Sequence, residues 1–126
     1  MRSLISLMLI ITGIIHLLPL SGVLGVERLS VLYGMAFSDP NLVILMRHRA
    51  VLFGLLGLFY IAAAFKPAWQ PLAFVAGFTS VVSFLWLAWS VGGYNAQLGR
   101  VVITDIVALG CLAIGSIGSY RLSRRA

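Results

Sequence analysis

The fold is decided by residues 39–49, Asp39-Pro40-Asn41-Leu42-Val43-Ile44-Leu45-Met46-Arg47-His48-Arg49, which open an apolar run that ends near Lys66. Asp39 is a suitable N-cap and Pro40 fits the first position of a helix, so the stretch predicts a helix start. The run that follows is long enough to cross a membrane. It nevertheless carries three basic side chains near its beginning, where a membrane helix is expected to be apolar.

The composition indicates that the rest of the chain is also membrane-embedded. Of 126 residues, 61% are hydrophobic and only 10% are charged, which is too little charge to cover the surface of a soluble domain of this size. A membrane span needs about 20 mostly apolar residues. Runs of this kind cover approximately residues 3–20, 42–65, 71–91 and 100–120. We therefore expect a single transmembrane domain over residues 1–126.

A shorter amphipathic segment separates the first two spans. Between Gly22 and Gly34, apolar residues alternate with Glu27 and Arg28, which predicts a helix of about three turns lying at the membrane interface. Gly34 is a suitable C-cap for this helix. The predicted fold is therefore all-α: an integral membrane four-helix bundle with a short interfacial amphipathic helix between spans 1 and 2.

The basic residues lie at the ends of the apolar runs. Membrane topology and lipid headgroups therefore explain the net charge of +6 better than nucleic acid does. Arg2, Lys66 and the three arginines of the C-terminal tail fall on one side, which predicts a multi-pass protein of the bacterial inner membrane with both termini cytoplasmic. We expect membrane lipid as a partner and no nucleic acid. A lipid-soluble small molecule, a homo-oligomer and a partner in a membrane complex stay open.

Polar residues concentrate at one end of the predicted bundle. Because consecutive spans alternate in direction, spans 1 and 3 end at the membrane face where spans 2 and 4 begin. The candidate ligand-binding residues in this layer are His16, Arg47, His48, Arg49, Tyr94, Asn95 and Asp105. Ser90 and Arg100 share the layer, and Glu27, Arg28 and Tyr33 are positioned to cover it as a lid. The other half of the bundle has almost no charge.

Asp105 is the only acid inside a predicted span, and a buried charge of this kind is usually paired. We expect it to pair with Arg47 or Arg49, either to fasten two helices together or to orient an arginine within a site. The arginines outnumber this acid. Excess arginine suits an anionic group such as a phosphate or a carboxylate, and a lipid headgroup satisfies this chemistry as well as a metabolite does.

His16 has three interpretations. It is a core histidine bonded to Thr12 or to a backbone carbonyl, a member of the polar site, or a metal ligand. His16 and His48 together suggest a haem between two helices, but two histidines are a weak signal for it. A zinc or copper site needs three or more ligands at short spacing, and the sequence lacks them. We therefore predict no metal site and assign no cofactor.

Faces of small and polar residues predict how the spans pack. Span 2 carries small residues that allow close helix contact, namely Ala50, Gly54 and Gly57. Span 1 presents Ser6, Leu9, Thr12, Gly13 and His16 on one side. Span 3 carries a polar stripe that suits either hydrogen bonding between helices or a path for an amphipathic ligand, and it comprises Thr79, Ser83, Trp86 and Ser90.

Motifs of several enzyme classes are absent from the sequence. It contains no Gly-x-Ser-x-Gly, no His-Glu-x-x-His, no phosphate-binding loop and no carboxylate pair for glycoside or aspartic chemistry. The single cysteine, Cys111, excludes disulfide-exchange chemistry. We therefore assign no catalytic residue.

Five short motifs carry a resemblance to a known layout: His16-Leu17-Leu18-Pro19, Leu32-Tyr33-Gly34, Asp39-Pro40-Asn41, Arg47-His48-Arg49 and Gly54-Leu55-Leu56-Gly57. They resemble a group of small bacterial inner-membrane proteins that are similar in layout to the DoxX-like four-helix families. The resemblance covers most of the chain and implies a four-helix membrane bundle without a settled activity. Relatives are sometimes labelled phosphopantetheine adenylyltransferase. The residues do not support that label, because that soluble family needs a His-x-Gly-His motif on a Rossmann-like sheet.

The sequence favours a non-enzymatic membrane protein that binds an amphipathic or anionic ligand, such as a lipid or a quinone, in a polar pocket at the outer-face end of the bundle. Arg47 would hold the anionic group, Asp105 would orient Arg47, and Tyr94 and His16 would donate hydrogen bonds. One alternative is a membrane-embedded enzyme that acts on a lipid-soluble substrate, with His16 as acid or base. Another is a ligand-free accessory subunit of a membrane complex.

Overall fold

A computed structural model describes residues 1–125, which are almost entirely helical and contain no strand. The α-helices in this part of the chain are α1 Arg2–Leu17, α2 Val26–Tyr33, α3 Pro40–Ala64, α4 Gln70–Val91 and α5 Ala96–Arg125. A 3-10 segment, Leu18–Leu24, joins α1 to α2, and a shorter one, Pro67–Trp69, precedes α4.

Within residues 1–125, four segments are long and apolar enough to cross a membrane: Arg2–Leu24, Pro40–Ala64, Pro67–Val91 and Ala96–Arg125. Large apolar side chains are exposed along all four of them, for example Leu7, Leu55, Trp89 and Ile106. Such extensive apolar surface is unfavourable in water and is expected where lipid surrounds the protein. The chain is thus a helical membrane protein, and the predicted all-α bundle is confirmed.

Local capping explains where α3 and α5 begin. The Asp39 carboxylate accepts a hydrogen bond from Asn41 N at 2.9 Å, and Pro40 is the first residue of α3, as predicted. Asn95 acts in the same way for α5, because its Oδ1 accepts from Leu98 N at 2.9 Å. The last helix therefore begins at Ala96, earlier than the predicted span 100–120.

The connection between the first two spans contains a 3-10 segment and a shorter interfacial helix than the sequence predicts. α1 stops at Leu17, and the chain continues as a 3-10 segment that contains Pro19, which has no N–H to donate. The interfacial helix therefore begins at Val26 rather than near residue 22. It ends at Gly34, whose φ of +66° is left-handed, as expected of the predicted C-cap.

The closest helix contact is between α1 and α3. A Cβ atom added to Gly57 would lie 2.7 Å from Gly13 O, and one added to Gly13 would lie 2.8 Å from Gly57 O. Only glycine permits this separation of the two backbones. The predicted small-residue face of the second span, Ala50, Gly54 and Gly57, is buried accordingly. α1 also packs against α5, whereas α4 packs mainly on α5 and less on α3.

The polar stripe predicted on the third span is exposed rather than packed against another helix. The hydroxyls of Thr79 and Ser83 donate to Val75 O and Ser80 O of α4 itself, at 2.8 and 3.0 Å. They need no partner on another helix, so the expectation that the stripe bonds to a neighbouring helix is wrong. The exposed stripe residues are Thr79, Ser83, Trp86 and Ser90, and α4 instead buries Ala73, Phe74, Gly77 and Val81.

Candidate functional site

The helices enclose a cavity of about 260 Å³ at the end of the bundle where α1 and α4 end and α3 and α5 begin. We call this end the polar end and the space the polar cavity. Its polar lining residues are His16, Tyr33, Arg49, Gln97, Arg100, Thr104 and Asp105. The remaining wall is apolar and includes Ile15, Leu32, Phe53 and Val101.

Arg49 is held inside the bundle by aromatic side chains. Its Nη1 donates a hydrogen bond to Tyr33 Oη at 2.6 Å. Its Cζ lies 4.4 Å from the ring centroid of Phe53, 5.5 Å from that of Tyr33 and 5.8 Å from that of Phe84. Rings from α2, α3 and α4 thus surround the guanidinium group, and cation–π attraction replaces part of its lost hydration.

Asp105 lines the same cavity and is only 8% exposed, but the expected pair with an arginine is not formed. In the described residues, Arg49 donates to Tyr33 Oη, and Arg47 Nε donates to Val23 O at 2.9 Å. Neither of these hydrogen bonds reaches the Asp105 carboxylate. Asp105 and Arg49 therefore contribute opposite charges to one cavity without being fastened to each other.

His16 is the core histidine of the first interpretation, and it also lines the polar cavity. The ring is 2% exposed, with Nδ1 2.9 Å from Thr12 O and Nε2 3.2 Å from Ser80 Oγ. Because a carbonyl oxygen only accepts, Nδ1 carries the proton. In the neutral ring, Nε2 then accepts from the Ser80 hydroxyl. Both nitrogens are engaged, so the ring offers none to a haem iron or another metal.

Arg47 and His48 lie outside the polar cavity. Both are exposed and line a shallow surface depression beside Val23 and Val43. Successive residues of a helix point about 100° apart, so only one of the three adjacent basic residues can face the bundle interior. That residue is Arg49. The expectation that Arg47 faces the site is corrected, and the weak signal for a haem between His16 and His48 finds no support in their positions.

Tyr94 and Asn95 lie beside the polar cavity rather than in its wall. Tyr94 is exposed and lines a second, more apolar cavity of about 330 Å³, which shares Tyr33, Arg49 and Val101 with the first. Asn95 Nδ2 donates to Tyr33 O at 2.7 Å. Asn95 thus ties the start of α5 to the end of α2, and Tyr33 is fixed through both its carbonyl and its hydroxyl.

Sequence reasoning missed Ser80, Phe84 and Tyr60. The small residues Ala73 and Gly77, four positions apart, mark the buried side of α4 and would have pointed to Ser80 next to it. Tyr60 is fully buried, and its ring meets that of His16 edge-on at 4.8 Å. Among the described residues, its hydroxyl has no hydrogen-bond partner.

No group of three or more His, Cys, Asp or Glu side chains in residues 1–125 is arranged to hold a metal ion. Comparison of the chain with protein-family models, with curated proteins and with solved structures finds no match. The resemblance to the DoxX-like layout therefore stays a prediction.

Proposed function

We propose that this membrane protein binds an amphipathic molecule with an anionic head group in the polar cavity and performs no chemistry on it. One observation carries the proposal: Arg49 and Arg100 line the cavity together with a single carboxylate, that of Asp105. Two guanidinium groups and one carboxylate leave a net positive charge, which favours an anion. The apolar remainder of the wall favours a ligand that also has an apolar part.

Arg49 is the proposed anchor of the head group. Aromatic rings surround its guanidinium group, and in residues 1–125 it donates a single hydrogen bond, through Nη1. Other N–H groups at its edge suit bidentate binding to a carboxylate or a phosphate. Because the aromatic packing already fixes the side chain, little conformational entropy is lost when a ligand binds.

The contacts of His16 support binding rather than catalysis. A general acid or base must reach the reacting group with one of its nitrogens. The nitrogens of His16 are occupied by Thr12 O and by Ser80 Oγ, both within the protein. The enzyme alternative therefore has less support than the binding alternative.

The charge distribution supports an orientation of the chain in the membrane, which we propose is a bacterial inner membrane. The basic residues of the C-terminal tail, Arg121, Arg124 and Arg125, favour a cytoplasmic C-terminus. An even number of spans then gives a cytoplasmic N-terminus and an outward-facing polar end. In this arrangement, membrane lipid is the nearest source of a ligand.

The test is binding of palmitate to purified protein in mild detergent, measured by native mass spectrometry. Arg49→Gln is expected to weaken binding about tenfold or more, because a hydrogen bond to a charged group typically contributes about 1.5–3 kcal/mol. Asp105→Asn is expected to strengthen binding about threefold, because the variant removes a negative charge from the cavity that repels the anionic head group.

Arg47→Gln is the matched control, since Arg47 is exposed and lies outside the polar cavity. It is expected to bind palmitate as the unsubstituted protein does. Equal weakening by Arg47→Gln and Arg49→Gln would contradict the proposed anchor. If the unsubstituted protein neither retains a co-purified amphiphile nor binds an added one, the accessory-subunit alternative is favoured instead.

A further inference from the structure

A crevice between α3 and α4 runs from Arg49 away from the polar end and has a volume of about 540 Å³. We call it the lateral crevice. α3 contributes Leu52 and Leu56 to its walls, and α4 contributes Ala76 and Leu87. The lateral crevice and the polar cavity share Arg49 and Phe53, so the two spaces meet at the guanidinium group.

The lateral crevice opens sideways, toward the lipid. α4 packs mainly on α5, so its surface toward α3 is only partly covered. At the rim, Leu52 is 46% exposed and Leu87 is 58% exposed. Both are leucines on membrane-spanning segments, where exposed apolar side chains contact acyl chains.

The walls of the lateral crevice suit an apolar chain despite three hydroxyl-bearing residues. Thr79 and Ser83 donate to carbonyls of α4 itself, and Ser80 is hydrogen-bonded to His16. An apolar ligand chain that covers these hydroxyl groups breaks none of their hydrogen bonds, so burying them costs little free energy. Between Phe84, which lies beside Arg49, and Ala76, the crevice follows α4 over roughly 12 Å of helix.

We propose that the lateral crevice holds the apolar chain of a single-chain amphiphile whose anionic head binds Arg49, and that this ligand reaches the site sideways from the bilayer. The inference rests on the proposed function and names its ligand class, a membrane-borne amphiphile with one chain rather than a soluble anion. Charge complementarity fixes the direction of the ligand. The head lies at Arg49, and the chain extends along Leu56 and Ala76.

The depth of these residues agrees with the orientation of lipids in a membrane. Arg49 is nine residues from the start of α3, and Leu56 is seven residues further along the helix. The head would therefore lie nearer the membrane surface and the chain nearer its centre, as in the surrounding leaflet. The ligand needs no inversion to pass from the bilayer into the protein.

The experiment compares palmitate with octanoate in native mass spectrometry, using a variant that fills the inner part of the crevice. Ala76→Phe is expected to bind octanoate as the unsubstituted protein does. It is expected to bind palmitate at least about tenfold more weakly, because the phenyl ring occupies the space in which the CH₂ groups of the longer chain would be buried. Ala113→Phe is the matched control. Ala113 is half-buried on α5 and lines neither the polar cavity nor the lateral crevice.

The outcomes separate this inference from the proposed function. If Ala76→Phe and Ala113→Phe bind palmitate equally well, the lateral crevice does not hold the chain, although the head-group site stands. If inorganic phosphate binds the unsubstituted protein as tightly as palmitate does, the ligand is a soluble anion and the inference fails. If neither fatty acid nor phosphate binds, both proposals fail.

Thermal unfolding of both variants in the same detergent checks that each is folded. Should Ala76→Phe not fold, Thr79→Phe replaces it, because Thr79 lies on the same wall of the lateral crevice and is exposed. The same selective loss of palmitate binding is then expected.

Discussion

Arg49 is kept inside the bundle without a hydrogen-bonded carboxylate partner. Removing a cation from water is costly, and membrane proteins usually compensate this cost with an ion pair. Here Tyr33 Oη accepts one hydrogen bond from Arg49, and the rings of Phe53 and Phe84 approach the guanidinium group from other sides. An arginine whose hydrogen-bond partner is a neutral hydroxyl gains a stronger, charge-assisted interaction when an external anion binds it.

The hydrogen bond between His16 and Ser80 gives the first prediction at the residue scale. Ser80→Ala is expected to lower the free energy of unfolding by about 1 kcal/mol, because buried Nε2 of His16 loses its partner. Ser83→Ala is expected to change it by less than about 0.5 kcal/mol, since that hydroxyl bonds only to its own helix. Denaturant titration in mild detergent, followed by circular dichroism, measures both changes. Equal effects would show that the contact with His16 contributes nothing.

The sequence predicted a basic cluster at residues 47–49 near the start of a membrane span, but it assigned the anionic group to Arg47 rather than to Arg49. Helix periodicity separates neighbouring side chains by about 100°, so which of them faces inward depends on how the helix is rotated about its own axis. The orientation of α3 is set by its contact with α1 at Gly13 and Gly57, which lies in the tertiary structure. Local sequence patterns therefore identified the basic cluster but not the residue in it that faces the bundle interior.

At the element scale, the contact between Gly13 and Gly57 gives the second prediction. Gly57→Ala places a methyl group against Gly13 O and is expected to destabilise the protein by about 1–3 kcal/mol. Gly110→Ala is the control, because no atom lies within 4 Å of a Cβ atom at that position. It is expected to be neutral or to stabilise by up to about 1 kcal/mol, since alanine favours helix more than glycine does. Thermal unfolding in detergent distinguishes the two, and equal stability would contradict the close contact.

Helix caps could be predicted where the signal is local. Asp39 before Pro40 and Gly34 after α2 were both recognised from the sequence, since each acts on residues next to it. The polar face of α4 was misjudged for a physical reason. A serine bonded to its own helix and a serine bonded to another helix look the same in a sequence. Only the packing of α4 on α5 determines that Ser80 bonds to His16 of another helix, whereas Ser83 bonds to its own helix.

At the scale of the whole molecule, hydropathy and length were sufficient to predict four membrane segments. The cavities were not predictable, because each is bounded by several helices whose separation depends on packing. The polar cavity, for example, needs Ile15, Arg49 and Asp105 from three different helices. The proposal of a ligand depends on the shape and lining of such spaces, so it could not be made specific from the sequence alone.

The proposed orientation gives a prediction about membrane topology. Green fluorescent protein fused after Ala126 is expected to fluoresce in bacterial cells, because the basic tail keeps the C-terminus in the cytoplasm. Alkaline phosphatase fused after Gly93, between α4 and α5, is expected to be active, because that connection would lie outside. The reverse pattern of activities would place the polar end on the cytoplasmic side.

The depth of Arg49 has an electrical consequence. Arg49 lies nine residues into α3, roughly 13 Å along the helix axis, whereas the hydrocarbon core is about 30 Å thick. The 25 residues of α3 extend over roughly 37 Å, so with α3 centred in the core about 4 Å at each end lies outside it. An anion that reached Arg49 from the outer surface would then have crossed about 10 Å of the core, on the order of a third of the membrane voltage. An inside-negative potential opposes this movement, by about 0.8 kcal/mol for each 100 mV. At 100 mV, the protein would therefore hold the proposed anionic ligand about fourfold more weakly than it would in a depolarised membrane.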